Sequence, residues 1–317
     1  MKRHLICHGA ALWLASAGAS LFAGAIAPTA LIEPPARAWE LSLTLDTGWR
    51  HDDFQWTIAG DTSGRNPNIL SDLDWSDLEI IPVGITADVR LKDHWRVQLS
   101  GSYGWIADGE NRDSDYDFNN RKGEFSRSYA DTEGRTIDAG FAIGYDVKLA
   151  DEKVIVTPWV GVNYHQQHLN DKNGVQVVDY YYGDLGPFRG LDSVYEAEWF
   201  GVTFGLDAAV RMSATTRFLV GARYELADYR AEADWNLRTD FTGFNHRADG
   251  DGWRLSAGVE WDFARRWTLG LHADWSLFRT GSGIDHTDFT DGTSIDTRLN
   301  EVEWESIGVR LGLTHRF

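Results

Sequence analysis

The amino-acid sequence predicts an all-β fold, a ten-stranded antiparallel transmembrane β-barrel with long extracellular loops. Apolar and polar residues alternate in about ten segments of roughly ten or more residues, which is the length of a tilted strand that crosses a bilayer. Aromatic residues stand at the ends of these segments, and short connections alternate with long polar ones. An even barrel with both chain ends on the periplasmic side has this arrangement.

The first 38 residues have the features of a secretory signal peptide. Lys2 and Arg3 precede an apolar run over residues 10–27, and Ala36-Arg37-Ala38 has the small-x-small form of a cleavage site. We therefore expect a signal peptide over residues 1–38 and a barrel over residues 39–317. The single cysteine, Cys7, lies in the signal peptide, so we expect no disulfide in the barrel.

The segment from Trp95 to Trp105 shows the strand pattern most clearly. Val97, Leu99 and Tyr103 continue an apolar face that alternates with polar or small residues. In a membrane barrel the apolar face contacts lipid and the polar face lines an aqueous interior. The other alternating segments begin at Trp39, Ile81, Ile137, Val154, Phe200, Phe218, Trp253, Trp267 and Ile307.

The connections support the same fold. Short turns are predicted at residues 92–94, 150–152, 213–216 and 264–266, and long polar loops at about 51–78, 107–131, 166–193, 231–250 and 280–302. Soluble β-sandwiches and lipocalin-like barrels also have alternating strands. Their strands are usually shorter, so the strand length, the signal peptide and the placement of Trp and Tyr favour an outer-membrane barrel.

The charge balance limits the partners. The chain carries a net charge of −18, which makes it a poor binder of nucleic acid. No cofactor is predicted, and no metal, because His272, His286 and His315 lack the spacing of zinc ligands. Calcium at Asp285, Asp288 and Asp291 is an alternative without an EF-hand pattern. Three acids lie on polar strand faces, Asp138, Asp146 and Asp207. We expect them to pair in the lumen with Arg223 or Arg254.

Several motifs resemble the omptins, a family of ten-stranded outer-membrane proteases. The resemblance runs over nearly all of residues 39–317. It is most specific in Leu73-Asp74-Trp75, in the strand that ends at Gly104-Trp105, and in the following Asp113-Ser114-Asp115-Tyr116; the tail from Glu303 to Phe317 is similar too.

The resemblance implies a catalytic site at the barrel rim. Omptins are described as activating a water between an aspartate pair and a His-Asp dyad on the opposite wall of a groove. Here the pair falls on Asp113 and Asp115, and the dyad falls on Asp234 and Asn236. An asparagine amide cannot accept a proton, and the loss of a general base costs roughly 10²–10⁴-fold in rate.

Three arrangements would compensate for that departure. Asp113 and Asp115 could share a proton, as aspartic dyads do. His246, in the same outer loop, could fold back into the site, although it also fits a surface histidine. The alignment across residues 231–250 could also differ by some positions. Each of the two aspartates equally fits a solvated acidic loop.

The resemblance also implies binding residues. The acids that receive a basic side chain beside the cut bond fall on Asp52 and Glu232, which also fit plain loop-edge acids. The family's lipopolysaccharide-binding residues are basic, whereas this chain has acids at Glu196 and Glu198.

Two functions follow. One is an aspartic-type surface endopeptidase that cleaves near basic residues, and the other is a non-catalytic barrel of the same fold, either an adhesin or binding protein or a small porin. The expected location is the outer membrane of a Gram-negative bacterium, with the loops facing outward. The expected partners are outer-membrane lipid, including lipopolysaccharide, and basic peptides or proteins.

Overall fold

The computed structural model describes residues 39–92 and 94–317, so the predicted signal peptide lies outside the described residues. No helix in this part of the chain is long and apolar enough to cross a membrane. The strands are β1 (Trp39–Ile58), β2 (Ser71–Leu91), β3 (Trp95–Phe118), β4 (Lys122–Tyr145), β5 (Val147–Leu149), β6 (Val154–Asp179), β7 (Gly186–Pro187), β8 (Asp192–Arg211), β9 (Thr216–Asp234), β10 (Phe241–Ala264), β11 (Trp267–Thr280), β12 (Gly283–Phe289) and β13 (Ser294–Arg316).

Ten of these strands are long and close into an antiparallel barrel; we call these ten strands its staves. The order is β1-β2-β3-β4-β6-β8-β9-β10-β11-β13, and β13 pairs with β1 to close the ring. The short strand β5 follows β4 and pairs with β6, while β12 follows β11 and lies between β10 and β13. Closure leaves no long sheet edge unpaired. The predicted ten-stranded barrel is therefore confirmed.

An apolar band surrounds the barrel because successive side chains of a strand point to opposite faces. Leu99, for example, is 60% exposed and faces outward near the start of β3. Exposed tryptophans mark the two edges of the band, with Trp49 and Trp105 toward the long connections and Trp95 and Trp261 at the other edge. Such girdles sit at the two water interfaces of an outer-membrane barrel.

Four connections are short, as predicted, but the predicted long loops are mostly strand. The barrel wall continues beyond the band, and the connections at that end shrink to residues 59–70, 119–121, 180–191, 235–240 and 290–293. The sequence did not predict this extension, because irregular strand pairing interrupts the alternation of apolar and polar residues. Between Ser76 and Glu79 in β2, and between Ile106 and Glu110 in β3, the register shifts, so the inward face changes from even to odd positions.

The extended part of the barrel has a dry interior. Its centre is an aromatic core, in which rings from six staves pack against one another. Trp75 lies 5.6 Å from Phe54 between ring centroids, and Trp199 lies 4.7 Å from Tyr229 and 5.6 Å from Phe278. The members of the aromatic core are at most 2% exposed: Phe54, Trp56, Trp75, Tyr195, Trp199, Tyr229, Phe278 and Trp304.

Below the aromatic core, the interior within the band is polar. Asp207 pairs with Arg223 at 3.2 Å, as the sequence predicted. Asp138 instead contacts Arg50 at 3.1 Å and His165 at 2.6 Å. Asp146 lies 3.3 Å from Arg90 and 4.0 Å from Arg96. Asp207–Arg223 and Asp138–His165 join neighbouring staves, whereas Asp138–Arg50 reaches across the lumen from β4 to β1.

Candidate functional site

Asp113 and Asp115 lie on the inner face of β3 at the outward rim of the barrel. Asp113 stands opposite Leu73 of β2 and Ser128 of β4, and Asp115 stands opposite Ser71 and Ser126. Both side chains are half-buried. The two carboxyls therefore occupy neighbouring inward positions on one strand, as an aspartate pair requires.

Burial raises the pKa of both carboxyls. The pKa of Asp113 lies well above its usual range, mainly because of burial and then because of the negative charges of Asp115 and Asp171. Burial raises the pKa of Asp115 to about 6, although hydrogen bonds from Ser71 and Ser126 and the charge of Arg238 oppose the rise. Near neutral pH, Asp115 is thus mostly ionised, while Asp113 keeps its proton more readily than an exposed aspartate does.

Asp115 of the pair borders a cavity that we call the mouth pocket, with a volume of about 640 Å³. Asp115 and Ser126 belong to its strand wall, and Arg238 reaches it from the connection between β9 and β10. Most of the other wall comes from the connection that follows β6. The remaining lining residues are Phe125, Gln176, Asp179, Tyr181, Tyr182, Asp184, Leu185, Gly186, Pro187 and Phe188.

Arg238 supplies the positive charge of the mouth pocket. Its Nε and Nη2 donate to the two carboxylate oxygens of Asp240 at 2.8 and 2.7 Å, and its guanidinium lies 4.4 Å from the ring centroid of Phe241. Its charge lowers the pKa values of Asp113 and Asp115. An arginine thus lines the pocket beside the acid pair.

Two of the residues predicted from the resemblance, Glu232 and Asp234, lie on the outer face of β9. They stand opposite Glu196 and Val194 of β8, and both are exposed. The alanines on either side of Glu232 are the residues of this stretch that point inward and are buried. The two-residue period of the strand therefore turns Glu232 and Asp234 away from the acid pair.

Asn236 also lies away from the acid pair. It follows the end of β9 and stabilises the chain entering β8. Its Oδ1 accepts hydrogen bonds from the backbone N–H of Asp192 at 2.9 Å and from the hydroxyl of Ser193 at 3.3 Å. Its Nδ2 donates to the carbonyl oxygen of Gly190 at 2.7 Å. The structure does not bring Asp234 and Asn236 together with Asp113 and Asp115.

Asp52 is a buried strand residue and not a loop-edge acid. It is 0% exposed, and its carboxylate accepts four hydrogen bonds at 2.8 to 3.0 Å. Two come from Arg50, one comes from Gln167 and one comes from the indole N–H of Trp304. A carboxylate with this set of donors is already neutralised, so Asp52 is a structural anchor beneath the aromatic core.

His246 is a buried core residue, although the sequence also fitted it to the surface. Its Nδ1 lies 2.8 Å from the hydroxyl of Tyr195, which contacts the hydroxyl of Tyr229 at 2.7 Å. Its Nε2 lies 3.2 Å from Oδ1 of Asp285, whose other oxygen accepts from Thr297 at 2.9 Å. In β10 the even-numbered residues point inward, and this alternation is the sequence signal that could have placed His246 inside the barrel. The imidazole is 1% exposed and packs edge-on against the ring of Trp56, with 4.8 Å between ring centroids.

The described residues hold no metal site of the predicted kind. In residues 39–92 and 94–317, no group of three or more His, Cys, Asp and Glu side chains is arranged to hold a metal ion. Asp285 is engaged by His246 and Thr297, while Asp291 accepts from the backbone and hydroxyl of Thr293. The predicted calcium alternative at Asp285, Asp288 and Asp291 therefore does not fit this arrangement.

The closed ring of staves, the apolar band and the rim pocket define an outer-membrane β-barrel protein, with its long hairpins facing the exterior. The chain belongs to the Protochlamydia outer membrane protein family (Pom), whose family model matches residues 44–317. No curated protein sequence matches the chain.

Solved structures of outer-membrane barrels are similar to this chain. The outer membrane protease OmpT from Escherichia coli matches with a TM-score of 0.73 and 13% identity, over 88% of this chain and 97% of OmpT. The translocator domain of autotransporter NalP from Neisseria meningitidis matches with a TM-score of 0.36 and 10% identity, over 90% and 91%. The outer membrane protein OprG from Pseudomonas aeruginosa matches with a TM-score of 0.34 and 10% identity, over 87% and 95%. At these identities the OmpT match supports the fold alone.

Proposed function

We propose that this protein is a surface-binding barrel that holds basic side chains of peptides or proteins in the mouth pocket. The observation that carries the proposal is the composition of that pocket. Its thirteen lining residues include the carboxyls of Asp115, Asp179 and Asp184, with the rings of Tyr181 and Tyr182 among its aromatic side chains, and one cation, Arg238. A lysine or arginine needs an anion for its charge and an apolar surface for its stem.

The charge state of the pocket suits a cation at neutral pH. Asp179 accepts hydrogen bonds from the backbone N–H groups of Tyr182 and Asp184, both at 3.0 Å. These bonds lower the pKa of Asp179 and keep it ionised. Asp115, with a pKa of about 6, adds further negative charge. The net charge of −18 favours the approach of basic partners over long distances.

Two exposed rings provide the complementary surface. Tyr181 is 57% exposed and Tyr182 is 86% exposed. The face of an aromatic ring attracts a cation, by about 0.5–1 kcal/mol at exposed sites. The hydroxyl of Tyr181 donates to Asp117 at 2.6 Å, which fixes the ring beside the pocket. A basic side chain would lie between these rings and the carboxyls.

A second candidate function is the endopeptidase that the resemblance implied. The observation that favours it is the acid pair, because two neighbouring inward carboxyls whose pKa values are raised can share a proton, and can then both donate to and accept from a water molecule. Against it, the described lining of the mouth pocket includes no imidazole, and Asp234 and Asn236 point elsewhere. Proteolysis would then depend on Asp113 and Asp115 alone.

The small-porin alternative has weaker support. The aromatic core fills the barrel above the band, and a ten-stranded barrel is narrow to begin with.

For the lipid partner, Glu196 and Glu198 make the outer wall acidic beside the edge of the band. We therefore propose that outer-membrane lipid, including lipopolysaccharide, surrounds this barrel without basic contacts at Glu196 and Glu198.

One fluorescent peptide tests both functions. A peptide with paired lysines is compared with the same peptide carrying glutamine at those positions, by fluorescence anisotropy on the refolded barrel in neutral detergent. We expect the lysine peptide alone to bind, more weakly at higher salt. Asp179→Asn should lower its affinity about tenfold, whereas Asp249→Asn, an exposed acid on the outer face of β10, should leave it unchanged. Equal binding of both peptides would reject the proposal.

An internally quenched version of the lysine peptide then separates binding from proteolysis. Cleavage that disappears in Asp113→Asn while the affinity persists would establish the second candidate. Binding without cleavage at neutral pH, with and without lipopolysaccharide, would establish a binding barrel.

A further inference from the structure

A second cavity lies at the same end of the barrel, on the opposite side of the hairpin that joins β3 to β4. We call it the arginine cleft; its volume is about 310 Å³. The connection 59–70, the tip of that hairpin and the start of β13 surround it. Its lining residues are Thr57, Gly64, Asn68, Ile69, Arg121, Arg298, Asn300 and Glu301.

We propose that the arginine cleft binds an oxyanion, such as a phosphate, a sulfate or a carboxylate, attached to a small polar group. Arg298 is the first reason. Its side chain is half-buried, and its Nε is buried without a hydrogen-bond partner among the described residues. A guanidinium in this position has donors to offer, and its planar fork matches oxyanions.

The cleft is preformed around this guanidinium. Gly64 has a φ of +76°, and a Cβ at this position would lie 2.8 Å from Nη1 of Arg298. Two backbone hydrogen bonds also join the connection to β13 at Arg298. The Arg298 N–H donates to the Asp61 carbonyl oxygen at 3.3 Å, and the Ala59 N–H donates to the Arg298 carbonyl oxygen at 2.9 Å. A glycine is therefore what allows the loop backbone to close over the arginine.

Arg121 brings a second cation to the cleft. Its Nε donates to Asp72 at 2.6 Å, and its side chain is half exposed. The hairpin tip that carries it is tied to the connection 59–70 by Asn68, whose N–H donates to Asn119 and whose Oδ1 accepts from Asn120 N–H, both at 2.7 Å. Both arginines thus sit on walls that are held together before any ligand arrives.

The size and position of the cleft restrict the ligand. A volume of 310 Å³ holds roughly ten waters at about 30 Å³ each, which suits an oxyanion on a sugar-sized group. Ile58 lies nine residues beyond Trp49 along β1, roughly 30 Å of strand at about 3.3 Å per residue, which is about 20–25 Å above the edge of the band at a strand tilt of about 35–45°. The oxyanion therefore belongs to a soluble molecule or an outer surface glycan and not to a lipid headgroup at the edge of the band.

Calorimetric titration with inorganic phosphate tests the proposal on the refolded barrel in neutral detergent. We expect weak, saturable binding, which Arg298→Gln and Arg121→Gln reduce about tenfold or more, in line with hydrogen bonds to charged groups. Arg65→Gln, in the same connection but outside the cleft lining, is the control and should bind as the wild type does.

Glu301→Gln keeps the test decisive if an arginine variant does not fold. Its carboxylate lines the cleft, so its neutralisation should tighten phosphate binding several-fold. Absence of binding to both the wild type and Glu301→Gln, or unchanged binding to folded Arg298→Gln, would overturn the proposal. Saturable binding only to micelles that contain an anionic phospholipid would also overturn it, because the ligand would then be a lipid phosphate.

Discussion

The indole N–H of Trp304 donates to Oδ2 of Asp52 across 2.9 Å. Arg50 and Gln167 donate to the same carboxylate, so one buried anion holds β1, β6 and β13 together directly below the aromatic core. Because its carboxylate is occupied by these donors, Asp52 is a structural acid and not one that binds a substrate.

Asp52→Asn should destabilise the barrel and leave peptide recognition intact. Removing one partner of a buried ion pair costs about 3–5 kcal/mol when the other charge is left unpaired; because Arg50 keeps its contact with Asp138, we expect a loss near or below the lower end of that range. Glu232→Gln, on the outer face, should change the free energy of unfolding by less than about 0.5 kcal/mol. Guanidinium unfolding followed by tryptophan fluorescence measures both. A stable Asp52→Asn variant that no longer binds the lysine peptide would instead make Asp52 a binding residue.

The acid pair should make the barrel less stable as the pH rises. The folded-state pKa of Asp115 is about 6, and the pKa of Asp113 is raised too, whereas an unfolded aspartate titrates near 4. A raised folded pKa contributes stability that is fully present below about pH 4 and is lost as the pH passes through the folded pKa.

Asp115→Asn should therefore be more stable than the wild type at pH 7, by about 1–3 kcal/mol, and should lose this advantage at pH 4. Unfolding curves at the two pH values measure the difference. Asp249→Asn, an exposed acid, should show no such crossover. An Asp115→Asn variant that is equally destabilised at both pH values would mean that hydrogen bonds, and not charge, determine the role of Asp115.

Alternation in the sequence was sufficient to predict the ten staves, but continued from Trp105 it would put Asp113 and Asp115 on the outward face, and only the resemblance placed them as a pair at the rim. Alternation was insufficient above the band, where register shifts near Ser76 and Ile106 exchange the two faces. The resemblance placed Glu232 and Asp234 in the groove, but they lie one position out of phase with the inward residues of β9. The connection that carries Tyr181 has no periodicity, so the mouth pocket could not be predicted from local pattern.

Arg238→Gln should strengthen binding of the lysine peptide. Arg238 lines the mouth pocket and brings the one positive charge among its described lining residues. Without it, a basic ligand meets less repulsion, and we expect the affinity at pH 7 to rise about three- to tenfold. Arg230→Gln is the matched control, because Arg230 pairs with Asp228 at 2.8 Å on the exposed outer face. Weaker binding to Arg238→Gln would show that the arginine contacts the ligand favourably.

Tyr195→Phe should destabilise the barrel without affecting the mouth pocket. The Tyr195 hydroxyl contacts both Tyr229 and His246 in the aromatic core, so its loss leaves buried polar groups unpaired at a cost of about 1–3 kcal/mol. Tyr164→Phe removes a hydroxyl that contacts Glu198 on the outer wall and should cost less than about 1 kcal/mol. Unfolding and peptide affinity are measured on both variants; lost peptide binding in a folded Tyr195→Phe variant would connect the buried histidine to the pocket.

The aromatic core should block the conduction of ions through the barrel. Trp75, Trp199 and Trp304 are at most 1% exposed and pack with their neighbours across the barrel above the polar lumen, so an ion would have to enter a dry aromatic layer to pass. In planar bilayers the wild type should show no stable conductance steps. A Trp199→Ala/Trp304→Ala variant removes two of the largest buried rings and should conduct in bursts, provided that it still migrates as a folded barrel. Regular steps from the wild type would mean that the aromatic core opens in the membrane, and the small-porin alternative would then replace the sealed binding barrel.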